Sequence, residues 1–77
     1  MSLRQFMLRK EVKLLYKDLI KACKEIGDRT TSQEMIEWVR HDFKKNMRVE
    51  DEAAIRMLVV QGRQSLKQLQ TSISISK

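Results

Sequence analysis

Apolar residues set at helical spacing, with almost nothing to interrupt them, limit this chain more than any other feature. Leu8, Val12, Leu15, Leu19, Cys23 and Ile26 recur at steps of three and four, which lines one face of an α-helix. The same spacing returns in Ile55, Val59, Gly62, Leu66, Leu69 and Ile73. Between them, Met35 or Ile36, Val39, Phe43 and Met47 supply a third inner face, with Trp38 beside it and placed to close one end of the core. There is no proline, and Gly27 and Gly62 are the two glycines. Strong helix formers fill most other positions, so the expected class is all-α.

The punctuation divides the chain into three helices. The first is expected over about residues 3–26, stopped by Gly27 and Asp28. Thr31-Ser32-Gln33-Glu34 has the form of a capping box, which opens a second helix over about 32–46. Asn46 to Val49 makes a turn, and the acids Glu50, Asp51 and Glu52 suit the positive end of a third helix dipole, expected over about 51–73. The tail Ser72-Ile73-Ser74-Ile75-Ser76 alternates like a strand, but a lone strand has no pairing partner, so a fraying helix end is expected there. Connections this short favour an antiparallel three-helix bundle. Residues 1–77 then form one small domain, close to the lower size limit for an unstapled core.

Composition removes several function classes. One cysteine cannot make an internal disulfide, and Cys23 with His41 cannot supply a four-ligand zinc site. No run approaches the roughly 18 apolar residues that would suggest a membrane span, and no secretory pattern is expected at the start. No carboxylate pair, activated nucleophile or Gly-rich phosphate loop is evident, so neither a catalytic site nor a resident metal or cofactor is expected. The net charge is +6, and it is polarised. Through Ile26 seven basic residues face three acids, whereas Glu50 to Lys67 is neutral. A basic helix of this kind implies an acidic partner.

Leu15-Tyr16-Lys17, in the middle of the first helix, resembles the Leu-Tyr-Arg/Lys motif of the LYR proteins, small mitochondrial adaptors. The segment Arg40-His41-Asp42-Phe43-Lys44-Lys45-Asn46 is similar to the R-x-x-F-x-x-N context that the family carries in its second helix. Leu3-Arg4-Gln5-Phe6, Glu37-Trp38, Ile55-Arg56-Met57, Gln61-Gly62 and Leu66-Lys67 extend the likeness over nearly the whole chain. The resemblance implies a three-helix bundle that binds the mitochondrial acyl carrier protein. The carrier's acyl-phosphopantetheine, a group the chain does not itself own, would insert its fatty chain between the helices. The resulting pair would support assembly of a respiratory complex, complex I foremost, or of an iron–sulfur client, in the mitochondrial matrix. Arg4, Phe6, Arg9 and Lys10, which precede the first acid, agree with a basic amphipathic import signal.

By the same resemblance, Arg9, Lys17, Arg40 and Lys44 carry the docking role. Leu15, Tyr16 and Phe43, with Val59 and Gly62 on the third helix, line the acyl tunnel. Many relatives place a lysine after the asparagine of the helix-two motif; here that position is Met47, and Arg48 is the next cation available for that contact. A glycine in the inner stripe of a helix costs about 1 kcal/mol against alanine. Gly62 therefore marks either a close backbone approach or room for a guest. The alternative reading is a small basic nucleic-acid-binding bundle. Against it, the cations gather on the first helix, whereas a helix-turn-helix reader presents its recognition helix from the C-terminal pair. Resting the first helix on an anionic membrane would compete with the core for its apolar stripe.

Overall fold

The computed structural model describes residues 2–76. Three helices follow in order, α1 Leu3–Cys23, α2 Arg29–Asn46 and α3 Glu52–Ser76, with no strand among the described residues. The architecture is an all-α three-helix bundle in which consecutive helices run antiparallel, so that α1 and α3 are parallel. Cross-links between the elements set the register. Ser32 at the start of α2 bonds the end of α1 at Cys23, and Arg4 near the start of α1 pairs with Glu52 at the start of α3.

The bundle is asymmetric. Helix α1 packs against both α2 and α3, while α2 and α3 make no close backbone approach to one another. The molecule measures 43 × 20 × 15 Å, thin in one direction for this reason. Leu15, Tyr16, Leu19 and Cys23 of α1 form the buried centre with Val39 of α2. Ile55, Val59 and Ile73 bury the matching stripe of α3, as their spacing predicts. The stripe persists to Ile73 within a helix that continues through Ser76, so the alternating tail extends α3 rather than fraying.

The helix ends depart from expectation in three places. Helix α1 stops at Cys23 rather than near Ile26, with Lys24 as its C-cap. Gly27 does not adopt a positive φ and is not the helix stop. Its successor matters more. Asp28 is the N-cap of α2, accepting from the Thr30 N–H at 3.1 Å and the Thr31 hydroxyl at 2.7 Å. The helix therefore opens at Arg29, not 32, and Thr31 falls inside the first turn instead of capping it. Those bonds favour the charged carboxylate and hold Asp28 below the ordinary aspartate pKa, the Thr31 hydroxyl contributing most. A capping box does occur at the start of α1, where the Ser2 hydroxyl accepts from the Gln5 N–H and Gln5 Oε1 accepts from the Ser2 N–H. Asp51 opens α3, bonding the Ala53 N–H.

Two of the expected core side chains lie outside. Trp38 is 64% exposed and does not close the core, and Met47 is exposed beyond the last turn of α2. Trp38 stands one step off the inner stripe, on the side where α3 makes no close backbone approach to α2, and Met47 is the C-cap of α2, past its last turn.

Candidate functional site

Two concave surfaces meet at Tyr16. The first is a trough between α1 and α2 of about 680 Å³. Its rim is cationic: Lys13, Lys17, Lys21 and Lys24 stand at helical spacing along α1, and Arg40 and Lys44 face them from α2. Its floor is apolar, built from Tyr16, Ile20, Phe43 and Met47. No acidic side chain lines it, so the trough combines an unopposed positive field with apolar contact area.

The second is a groove of about 350 Å³ where α2 and α3 fail to meet. Leu19 and Cys23 floor it from α1, Met35, Trp38 and Val39 form one wall, and Leu58, Gly62 and Leu69 form the other. Burial pushes the Cys23 thiol above its ordinary pKa, so it serves this floor as a small apolar residue rather than a nucleophile.

Tyr16 stands between the two. Its ring is buried and lies 5.0 Å from that of Phe43, tilted by 51°. Its hydroxyl donates to Asp42 Oδ2 at 2.6 Å and accepts from Asn46 Nδ2 at 3.1 Å. A buried phenol needs such partners, and residues 42 and 46 can both supply them because they lie one turn apart on α2. Burial first, then the bond to the Asp42 carboxylate, pushes the Tyr16 pKa up to about 12. The phenol is therefore neutral at all physiological pH values and locks α1 to α2.

The expected site residues divide among these surfaces. Lys17, Arg40 and Lys44 come together in the trough, over Phe43. Arg9 lies elsewhere, in the clasp between α1 and the α2–α3 connection. Its guanidinium donates to the carbonyls of Met47 at 3.2 Å and Val49 at 3.5 Å, satisfying acceptors that the end of α2 leaves open. Arg48 is exposed in the turn beyond α2 and does not line the trough. Tyr16 and Gly62 line the α2–α3 groove. Leu15 and Val59 are buried in the seam between α1 and α3, beneath that groove rather than on its surface.

At this seam Gly62 has a definite role. A methyl built there would land on Leu15 Cδ2 with Leu15 Cγ only 3.3 Å away. The missing side chain lets α3 settle against Leu15. The sequence reading missed Asp42, Leu58 and Ser65. Asp42 could have been found by asking which residue, one turn before Asn46, would satisfy a buried Tyr16 hydroxyl; Leu58 and Ser65 sit off the inner stripe and carried no such signal. No group of three or more His, Cys, Asp or Glu side chains gathers as a metal site among the described residues, and none of their helices is long and apolar enough to cross a membrane.

Residues 10–68 match the model of the family described as Complex 1 protein (LYR family). Similar proteins include the LYR motif-containing protein 2 of Rattus norvegicus, 35% identical over the whole chain and 88% of the relative's length. That of Homo sapiens is 29% identical over the same shares, and that of Danio rerio 30% identical over 99% of this chain and 86% of its own. No solved structure matches. With the family model covering most of the chain, and with its Leu15-Tyr16-Lys17 motif placed at the junction of trough and groove, this protein belongs to the Complex 1 LYR family.

Proposed function

We propose that this chain is a mitochondrial matrix adaptor that binds acylated acyl carrier protein and presents it to an assembly client. Proteins of the family are generally non-catalytic adaptors and generally mitochondrial. The observation that carries the reading is the juxtaposition of a cationic trough with a groove whose floor, Leu19 and Cys23, is apolar. That floor lies between Met35, Trp38 and Val39 on one side and Leu58 and Leu69 on the other, with Asp42, Asn46, Gln61 and Ser65 also lining the groove. An acidic carrier would dock along Lys17, Arg40 and Lys44. Its phosphopantetheine arm would pass Tyr16, and the acyl chain would occupy the space between α2 and α3, over Leu19, Cys23 and Gly62. The groove is at the small end of ligand pockets, which span about 300–1,000 Å³. A slender chain suits it better than a bulky ring system. Arg9 and Arg48 flank the trough's end near Met47, within the range of a carrier larger than the trough itself. Respiratory complex I, suggested by the words 'Complex 1 protein' in the family's description, is the client to test first, with iron–sulfur machinery second.

Magnitudes divide the labour. Each buried methylene contributes about 0.8 kcal/mol, so an eight-carbon chain contributes about 6 kcal/mol before ordering costs. Exposed ion pairs contribute roughly 0.2–1 kcal/mol each and weaken with salt. The chain should dominate affinity, and the charges should set encounter rate and orientation. Native mass spectrometry of the protein, purified from a host that supplies acyl carrier protein, tests this directly. A one-to-one complex carrying acylated phosphopantetheine is expected, and a carrier bearing only the free thiol should bind poorly. Equal binding of both carriers would refute insertion of the chain. A bare polypeptide that ignores acylated carrier and holds duplex DNA at physiological salt would transfer the trough to the nucleic-acid reading.

A further inference from the structure

The N-terminal half of α1 is apolar on two faces, and the bundle uses one of them. Val12 and Leu15 face the core, while Leu3, Met7 and Leu14 are 75%, 61% and 53% exposed and half-buried Leu8 lines the same groove as those three. The exposed three stand at steps of four and seven, which is the stripe of a second amphipathic face. A helix that served only the bundle would carry polar residues there. Single exposed apolar residues are ordinary, but a contiguous patch set in a groove marks an interaction surface. This one forms the wall of a groove of about 740 Å³, with α3 opposite.

The charges around it state what should fill it. Arg4 and Lys10 rise from α1 and Arg56 and Arg63 from α3. Arg4 and Arg56 share one carboxylate, that of Glu52, at 3.4 and 2.9 Å, and Arg63 pairs with Glu11. Four cations thus meet two acids, leaving the rim two charges positive on both sides of an apolar floor. We infer that this groove docks an acidic amphipathic helix of a protein partner, its apolar stripe against Leu3, Met7 and Leu14 and its glutamates or aspartates along both rims. A second copy of this basic chain would bring like charge to the rims. A flat bilayer surface would not enter a groove that α3 walls with Arg56 and Arg63, as a single helix can. The surface shares no lining residue with the trough or with the α2–α3 groove, so the inference stands apart from the acyl-carrier reading, and both partners could bind at once.

The test uses the full chain and a synthetic 20-residue helical peptide with leucines at helical spacing flanked by glutamates, against a twin with lysines at the flanks. Amide shift mapping should show the glutamate peptide moving Leu3, Met7, Leu14, Arg56 and Arg63 and leaving Lys17 and Lys44 still. The lysine twin should bind at least tenfold more weakly. Met7→Ser with Leu14→Ser should weaken the glutamate peptide at least tenfold, and Lys10→Glu about threefold. These positions are exposed, so unchanged circular dichroism is expected of the variants. Shifts centred on the trough, equal binding of the two peptides, or no shift at the stripe up to millimolar peptide would overturn the inference. So would self-association of the chain, or its binding to phosphatidylglycerol vesicles at physiological salt, if the Met7→Ser, Leu14→Ser variant abolished it.

Discussion

The two glycines make opposite use of the same missing side chain. Gly27 has nothing within 4 Å of where a methyl would sit and no positive φ. Gly27→Ala should therefore leave the fold intact and stabilise it by about 0.4–1 kcal/mol through the unfolded chain. At Gly62 the methyl meets Leu15. Overpacking a core costs about 1–3 kcal/mol, and the gain in helix propensity returns about 1 kcal/mol. A net loss of about 1 kcal/mol is expected in urea unfolding, and in a Leu15→Ala background the same substitution should become stabilising. Tyr16 gives a second test at this scale, because it is the sole tyrosine and its ionisation can be followed alone by ultraviolet absorbance. The midpoint should lie near 12 rather than 10. Asp42→Asn should lower it without reaching the ordinary value, because burial is the larger cause. The neutral phenol is favoured by the fold, so its contribution is complete below pH 10 and is lost as pH rises toward 12. That loss amounts to about 2 kcal/mol and should be missing from Tyr16→Phe.

At the scale of the elements, the ends of α1 and α2 are coupled through one short connection. Ser32 is buried and donates its hydroxyl to the Cys23 carbonyl at 2.7 Å, while Asp28 holds the first turn of α2. Asp28→Ala should cost about 0.5–2 kcal/mol as a lost N-cap, measured by thermal unfolding. Removing the Asp28 carboxylate should also flatten the loss of stability on acidification, since its depressed pKa favours the fold only while the group is charged. The helices themselves were legible from the sequence because three apolar stripes repeat at helical spacing, and the stripe of α3 was read at Ile55, Val59 and Ile73 although the helix runs on through Ser76. Its connection to α2 was legible too. The α1–α2 connection was not, because Thr31 and Glu34 have the spacing of a capping box while Asp28, three residues earlier, bonds the Thr30 N–H and takes up the Thr31 hydroxyl. Which of two adjacent caps wins depends on where Ser32 must lie to reach Cys23, a tertiary constraint that local pattern does not contain. The candidate site divides in the same way. Lys17, Arg40, Phe43 and Lys44 lie together because helical spacing puts them on facing sides of α1 and α2. Arg9 and Arg48 depart because their positions depend on how the chain turns after Asn46. The α2–α3 groove was not legible, because Gly62 marks a close approach of α3 to Leu15 and the separation of α2 from α3 is a property of packing.

For the whole molecule, the decisive feature is that α1 carries two helices that do not support each other. Helix α2 approaches the backbone of α1 closely and that of α3 nowhere among the described residues, and the Tyr16–Asp42–Asn46 and Ser32–Cys23 bonds tie it to α1 as well. A guest lying across Leu19 and Cys23 would touch both α2 and α3 and supply the missing contact. Under the proposed function, ligand binding and bundle stability are then one equilibrium. At acylated carrier a hundredfold above its dissociation constant, the linkage is about 2.7 kcal/mol. In a domain of this size that raises the melting temperature by roughly 10–20 °C. Trp38, the sole tryptophan, stands on the rim of the same groove and is largely exposed, so its emission should shift to the blue as the groove fills. Acylated carrier should produce both changes, and free-thiol carrier at the same concentration should produce neither. A rise in melting temperature without a Trp38 shift would mean that the carrier stabilises the bundle from the trough alone, with the groove left empty.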